Sequence, residues 1–177
     1  MVQETGFSKP NILDLPIISR IRRNHGLEHA TLHTLSTRLP HTMLAGHSDA
    51  GGFWIIGDVS TDVLQAAVQE AITRLRSGES GLAVHPNCGT NIVTAGALAG
   101  LAGAMSMLGS GKQIRDKLSR LPVAAMLATT ALIFAQPLGL LLQARVTTSG
   151  NPGALEITDI TQRKQGRVTV HRIQTRG

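Results

Sequence analysis

The hydrophobic pattern divides the chain into an amphipathic first half, two long apolar runs and an alternating tail. From Ile17 to about Arg38, apolar residues recur at helical spacing, and Pro40 closes the segment, which predicts a first helix. Two short β-type runs, 42–47 and 53–58, flank the turn-forming sequence Ser-Asp-Ala-Gly-Gly. They predict a β-hairpin after the helix.

A second amphipathic helix is predicted from the cap sequence at Ser60 to about Ser77. Its apolar positions recur every three or four residues and form one face. The residues of that face are Leu64, Ala67, Val68, Ala71 and Leu75. The short run 82–85 can return as a third strand. Helix, hairpin, helix and strand together make a small α+β unit.

Two long uncharged runs then predict an antiparallel two-helix transmembrane hairpin. One run covers residues 80–111 and the other covers residues 121–144. About 20 apolar residues cross a bilayer core of about 30 Å, so the second run fits a span well. The first run is weaker because Ala and Gly are only weakly hydrophobic. A buried helical hairpin in a soluble oligomer is the competing interpretation.

The tail alternates apolar and polar residues around Gln165-Gly166, which predicts a C-terminal β-hairpin. The predicted fold class is therefore α+β, with four parts in chain order. They are an extended N-terminal arm (1–16), an α+β domain with a His-rich helix (17–90), the transmembrane helical hairpin (91–143) and the C-terminal β-hairpin tail (144–177). The tail can add its strands to the sheet begun by residues 42–58.

Composition and charge favour the membrane interpretation. Aromatic residues make up 2% of the chain and charged residues 16%, against about 25% charged in typical soluble domains. The net charge is +6, but residues 1–90 are nearly neutral, and the basic residues concentrate at 110–121 and 143–177. Basic residues beside apolar runs commonly face lipid headgroups. Because stacking aromatics and a contiguous basic stripe are missing, no nucleic acid partner is expected.

The predicted partners are the lipid bilayer and a second copy of the chain or a larger membrane complex. Gly96, Gly100 and Gly103 form a small-residue face on which another helix could pack. No apolar stretch follows a basic N-terminal start, so no cleavable signal peptide is expected. A lone cysteine, Cys88, excludes an internal disulfide and suits a reducing compartment. We therefore expect two spans with both termini on the cytoplasmic side.

The strongest chemical pattern is the sequence His-Gly-Leu-Glu-His at residues 25–29. Positions i and i+4 of a helix lie side by side, so His25 and His29 could bind one zinc ion. Glu28 could then act as a general base, and His33, one turn further on, is an additional candidate ligand. A solvated polar face and core histidines with ordinary hydrogen bonds are the competing interpretations.

A zinc site needs a third protein ligand, and the turn at residues 85–91 is the obvious source. Either His85 or Cys88 could complete the site. Backbone amides at a helix start favour the thiolate form of such a cysteine. The simpler interpretation is an N-cap turn with a buried thiol, in which Thr90 or Asn91 is the cap. Residues 47–49 in the first hairpin are weaker candidates.

Two resemblances bear on these motifs. The sequence H-x-x-E-H at residues 25–29 resembles the inverted zinc-peptidase motif of the inverzincins, although the similarity is limited to those five residues. It implies two histidine ligands and a glutamate base. The motifs at residues 23–30, 51–54 and 85–91 resemble an uncharacterised family of short bacterial two-span membrane proteins. That resemblance implies a bacterial inner-membrane protein and supplies no activity.

Three functions are compatible with these observations. The favoured one is a membrane-tethered zinc-dependent hydrolase, specifically a metallopeptidase. The alternative is a non-catalytic accessory subunit of a larger membrane complex, photosynthetic or redox, whose histidines are structural or ligate a pigment. The third is thiol chemistry at Cys88 with a neighbouring histidine as base. The sequence does not indicate a substrate.

Overall fold

A computed structural model describes residues 11–166 and 168–177 of the chain. The chain forms two compact units, one made of residues 1–83 and 148–177 and the other of residues 84–147. Residues 1–10 of the predicted N-terminal arm lie outside the described residues.

The first unit begins with helix α1, Pro16–Arg38, which follows a 3-10 turn at Ile12–Asp14. Proline at the first helical position is favourable because its fixed φ suits the helix and its missing N–H is not needed there. Helix α2 is Thr61–Arg76, and the Ser60 hydroxyl accepts a hydrogen bond from the Val63 amide as its N-cap. All five residues predicted for the apolar face of α2 are buried, which confirms that prediction.

Four antiparallel strands form one sheet in the order β1-β2-β4-β3. The strands are β1 (Ala45–Asp49), β2 (Gly52–Ile56), β3 (Glu156–Gln165) and β4 (Val168–Arg176). The first hairpin supplies β1 and β2, and the C-terminal hairpin joins it because β4 pairs with β2. Helices and an antiparallel sheet together confirm the α+β class.

The predicted strand at residues 82–85 is wrong. Residues Ser80–Ala83 form a 3-10 turn instead, with the Leu82 amide donating to the Glu79 carbonyl. The carbonyl of Ala83 is bonded to the ring of His29 on α1, and not to a neighbouring strand. A short apolar run cannot by periodicity alone be distinguished from a turn packed against a helix.

The core of this unit lies between the sheet and the two helices. Strand alternation directs Phe53, Ile55 and Ile173 inward, where all three are fully buried. They pack with Leu27 of α1 and Leu64 of α2 in one hydrophobic cluster. The other face of the sheet carries the intervening residues of each strand.

The second unit is a helical hairpin made of α3 (Gly89–Ser106) and α4 (Ile114–Leu142), which continues as a π-helical turn at Gln143–Thr147. The helices run antiparallel. At one end Arg120 donates to the carbonyl oxygens of Ser106 and Leu108, both at 3.1 Å. At the other end Gly139 lies against Asn91.

One helix within the described residues is long and apolar enough to cross a membrane, and it comprises Ile114–Thr147. Helix α3 is shorter, and its polar first turn and its Ala and Gly content lower its hydropathy. The predicted two-helix transmembrane hairpin is therefore corrected to a helical hairpin with one candidate span.

The glycine face of α3 does not mediate contact with α4. A Cβ built at Gly96, Gly100 or Gly103 would meet no described atom within 4 Å. Close approach occurs instead at Gly139, where a Cβ would lie 3.0 Å from the Cα of Asn91. The α3 glycines therefore lie on the side of that helix away from α4, and packing of another helix on them stays a prediction.

Candidate metal centre

Helix α1 places His25 and His29 one turn apart, with their ring centroids at 4.4 Å and the ring planes inclined by 65°. This is the geometry that the i, i+4 spacing predicts. His29 is buried and His25 is half-buried. The two imidazoles therefore lie side by side in a largely dry environment.

The tautomer of His29 follows from its hydrogen bond. Its Nδ1 lies 2.8 Å from the carbonyl oxygen of Ala83. Because a carbonyl oxygen can only accept, Nδ1 carries the proton and Nε2 presents the lone pair. Metal-ligating histidines commonly donate the other ring N–H to a backbone carbonyl in this way.

Gly26 allows the residues around Ala83 to approach the helix. A Cβ at Gly26 would lie 3.2 Å from the Cβ of Ala83 and would overlap the carbonyl oxygen of Ser149. The glycine inside α1, which costs helix stability by about 1 kcal/mol relative to alanine, is thus explained by a close contact.

Cys88 is the N-cap of α3, and its Sγ accepts a hydrogen bond from the Thr90 amide at 3.4 Å. The capping role that the sequence offered to Thr90 or Asn91 therefore belongs to the cysteine. The side chain is buried. An amide donor and the positive end of the helix dipole both favour a thiolate, which is the metal-binding form.

His25 and His29 of the first unit and Cys88 of the second unit each offer one atom that can ligate a metal ion. Imidazole nitrogen and thiolate sulfur are the donors that zinc prefers. These three residues could bind a metal ion.

Glu28 and His33 are not members of this group, although both lie on α1. Glu28 is buried, and its carboxylate packs against the backbone of β1. A Cβ at Gly46 would lie 2.7 Å from the Glu28 Cδ, so only glycine leaves room for this side chain. His33 is half-buried further along the helix.

His85 is also outside the group. Its Nδ1 accepts a hydrogen bond from the Asn87 amide at 3.2 Å. A neutral ring that accepts at Nδ1 carries its proton on Nε2, which is then a donor and not a ligand. Of the two alternatives that the sequence left open in this turn, the geometry favours Cys88.

A buried amide network, which the sequence pattern did not predict, holds the turn that carries Cys88. Gln143 is fully buried; its Nε2 donates to Asn91 Oδ1 at 2.7 Å, and its Oε1 accepts from the His85 amide at 2.9 Å. Asn91 in turn donates to the carbonyl oxygen of Pro86 at 2.6 Å. The only sign of this network in the sequence is the amide side chain of Gln143 at the end of the second apolar run.

Comparison with known proteins places these motifs in a family context. The profile of a family described as a domain of unknown function, DUF6391, matches residues 20–160. An uncharacterised protein from Picosynechococcus sp. is 41% identical over 139 residues, which cover 73% of this chain and 66% of the relative. The chain thus matches slightly less than two thirds of that relative's length. No solved structure matches.

Proposed function

We propose that this chain, which belongs to the DUF6391 family, is a membrane-tethered zinc protein with hydrolase activity. The observation that carries the proposal is the pair of imidazoles on α1, where the ring centroids of His25 and His29 lie 4.4 Å apart. Cys88 is the proposed third ligand. Three protein ligands leave one position of a tetrahedral zinc site open, as in catalytic and not structural zinc sites.

The hydrogen bonding around the ligands supports this choice. The Ala83 carbonyl fixes the His29 ring in the form whose Nε2 can ligate. The Thr90 amide supports the sulfur of Cys88. The first contact orients the imidazole and raises its basicity, and the second stabilises the thiolate form of the cysteine.

Glu28 is the proposed general base. It is buried on the same helix turn as His29, and burial strengthens its electrostatic interactions. Zinc, when bound, would supply Lewis acidity by polarising a carbonyl oxygen of the substrate. Glu28 would accept a proton from the attacking water. Peptides are the proposed substrate class.

Anchoring by α4 is part of the proposal. Its large apolar side chains are exposed along the helix, as expected for contact with lipid. They include Leu121, Met126, Leu132, Ile133 and Phe134. An inner-membrane location belongs to the same proposal and awaits a topology measurement.

Metal analysis tests the zinc site directly. Protein purified in mild detergent should contain about one zinc per chain, and its Co²⁺ form should show a thiolate-to-cobalt absorption band. Cys88→Ala should abolish that band, and His29→Gln should weaken binding by at least tenfold. His33→Gln, on the same helix but outside the ligand group, is the matched control and should keep both. Purified protein without any transition metal would refute the proposal.

Glu28→Gln tests the hydrolase assignment separately. The variant should keep its zinc but hydrolyse a protein substrate such as casein roughly 10² to 10⁴ times more slowly, the usual contribution of a general base. Unchanged turnover in this variant would remove Glu28 from the mechanism. Wild-type protein that binds zinc yet cleaves no peptide would leave a metal-binding protein that is not a peptidase.

An accessory subunit is the second candidate, and the glycine face of α3 favours it. A Cβ at Gly96, Gly100 or Gly103 has no described atom within 4 Å, so another helix could approach closely there. Co-purification with larger membrane proteins, or an absorbance band from a bound pigment, would support this function over the hydrolase.

A further inference from the structure

The outer face of the sheet, away from α1 and α2, carries a second cluster of functional groups. A shallow cavity of about 230 Å³ opens on this face. It is lined by Trp54, Thr161, Arg163, Val170, Arg172 and Gln174. All of these residues belong to strands β2, β3 and β4, so the cavity is contained within the first unit.

The strand register explains why these residues meet. Arg172 of β4 lies opposite Trp54 on one side and Thr161 on the other. Val170 lies opposite Arg163. Directly opposed residues of antiparallel strands share a face, so all five side chains project outward together.

Arg172 is held rigidly beside the cavity. Its guanidinium lies over the Trp54 ring at 3.8 Å, and its Nη2 donates to Asp49 Oδ1 at 2.9 Å. The ring of His47 stacks on Trp54 at 5.4 Å. Burial alone would raise the pKa of Asp49, but the Arg172 hydrogen bond and backbone amides hold it below its usual value. Asp49 therefore balances one cation and fixes its position.

Arg163 supplies positive charge that is not balanced in this way. Its side chain is exposed and forms no ion pair with the carboxylates of the described residues. The acidic residue Asp159 lies opposite Gln174 but does not line the cavity. The lining thus contains two cations and no carboxylate.

Further donors point to a ligand with acceptor oxygens. Nη1 of Arg172 is buried and has no hydrogen-bond partner among the described residues. The Thr161 hydroxyl and the Gln174 amide add groups that can donate. A buried donor without a partner is costly, and a bound anion beside Arg172 would supply the missing acceptor.

We propose that this cavity binds a small organic anion through a phosphate or carboxylate group held by Arg163 and Arg172. Guanidinium groups suit both anions because they can donate two parallel hydrogen bonds. The volume is below the roughly 300–1,000 Å³ of pockets for drug-sized ligands, so the ligand is small. Val170 and the edge of Trp54 would contact its apolar part.

Trp54 makes the test specific to the site. It is the only tryptophan of the chain, which has no tyrosine, so intrinsic fluorescence reports on the cavity wall. Protein in neutral detergent is titrated with glycerol 3-phosphate, with propionate and with phosphatidic acid in the micelles. We expect a saturable emission change with at least one of these anions and none with glycerol or phosphatidylcholine. A response to glycerol 3-phosphate or propionate indicates a soluble ligand, whereas a response to phosphatidic acid alone indicates a lipid headgroup.

Matched variants locate the binding. Arg163→Met should weaken the response by at least tenfold. Lys164→Met removes the same charge from the next residue, which points to the opposite face of β3, and should leave the affinity unchanged. Circular dichroism of both variants verifies that they are folded. No saturable change with any of the three anions, or an equal loss in both variants, overturns the proposal. A saturable response that Arg163→Met alone removes supports it.

Discussion

His171 is a titratable side chain buried in the core of the first unit. It is fully buried on β4, with its Nε2 3.1 Å from the Thr61 hydroxyl, and burial lowers its pKa. The folded state therefore disfavours the charged ring, whereas an unfolded histidine titrates near 6.5. The unfolded state binds more protons below that pH, so this stability contribution is complete above about pH 6.5 and is lost as the pH falls.

His171→Gln should flatten the pH dependence of stability. Urea unfolding followed by Trp54 fluorescence, compared at pH 7.5 and pH 5.5, measures it. In the native chain the free energy of unfolding should fall with a slope of up to about 1.4 kcal/mol per pH unit from this group. His41→Gln removes an exposed histidine and should keep the native slope. A His171 variant with an undiminished slope would contradict this account.

At the residue scale, side-chain neighbours could be predicted where their spacing along a helix determines which face they share. His25 and His29 had to be neighbours on any helix, because i and i+4 share a face. The partners of these side chains were not predictable. The Ala83 carbonyl and the space at Gly46 are backbone features of segments distant in sequence, and nothing in the residue type reports them.

At the scale of the elements, the turn before α3 depends on side-chain amides from two helices. Gln143 at the end of α4 bonds both the His85 amide and the Asn91 side chain. Replacing it with leucine keeps the volume but leaves these two groups without their partner. Each unmet buried group costs about 1–3 kcal/mol, so the turn should lose order.

Gln143→Leu should therefore weaken zinc binding by at least tenfold while helix content is retained. Hydrogen exchange of the amides of residues 85–91 in metal-free protein should also become faster, a result that does not depend on the zinc proposal. Gln136→Leu makes the same change at an exposed position of α4 and should alter neither measurement. Unchanged exchange in Gln143→Leu would show that the amide network does not hold the turn.

Elements with strong periodicity were predictable. The extent of α2 and the two hairpins followed from the 3.6-residue and two-residue patterns. The predicted strand at residues 82–85 was wrong because a short apolar segment contains too few repeats to define a period. The predicted number of spans was also wrong. The absence of charge does not by itself make a span, and α3 begins with polar residues and is rich in weakly hydrophobic ones.

At the scale of the whole molecule, one unit is discontinuous in sequence. Residues 84–147 form their own unit between the two segments of the other. Hydrophobic patterning predicts such segments one at a time. It left open whether the two hairpins share a sheet, because strand pairing across more than a hundred residues depends on packing that local sequence does not encode.

The position of β4 in the sheet determines when the first unit can fold during synthesis of the chain. β4 pairs with both β2 and β3, yet it is the last strand in chain order. When translation has completed α4, the hairpin β1–β2 still presents an open edge, because residues 168–176 have not been made. The sheet of the first unit therefore cannot close until the whole helical hairpin between its two segments has been synthesised.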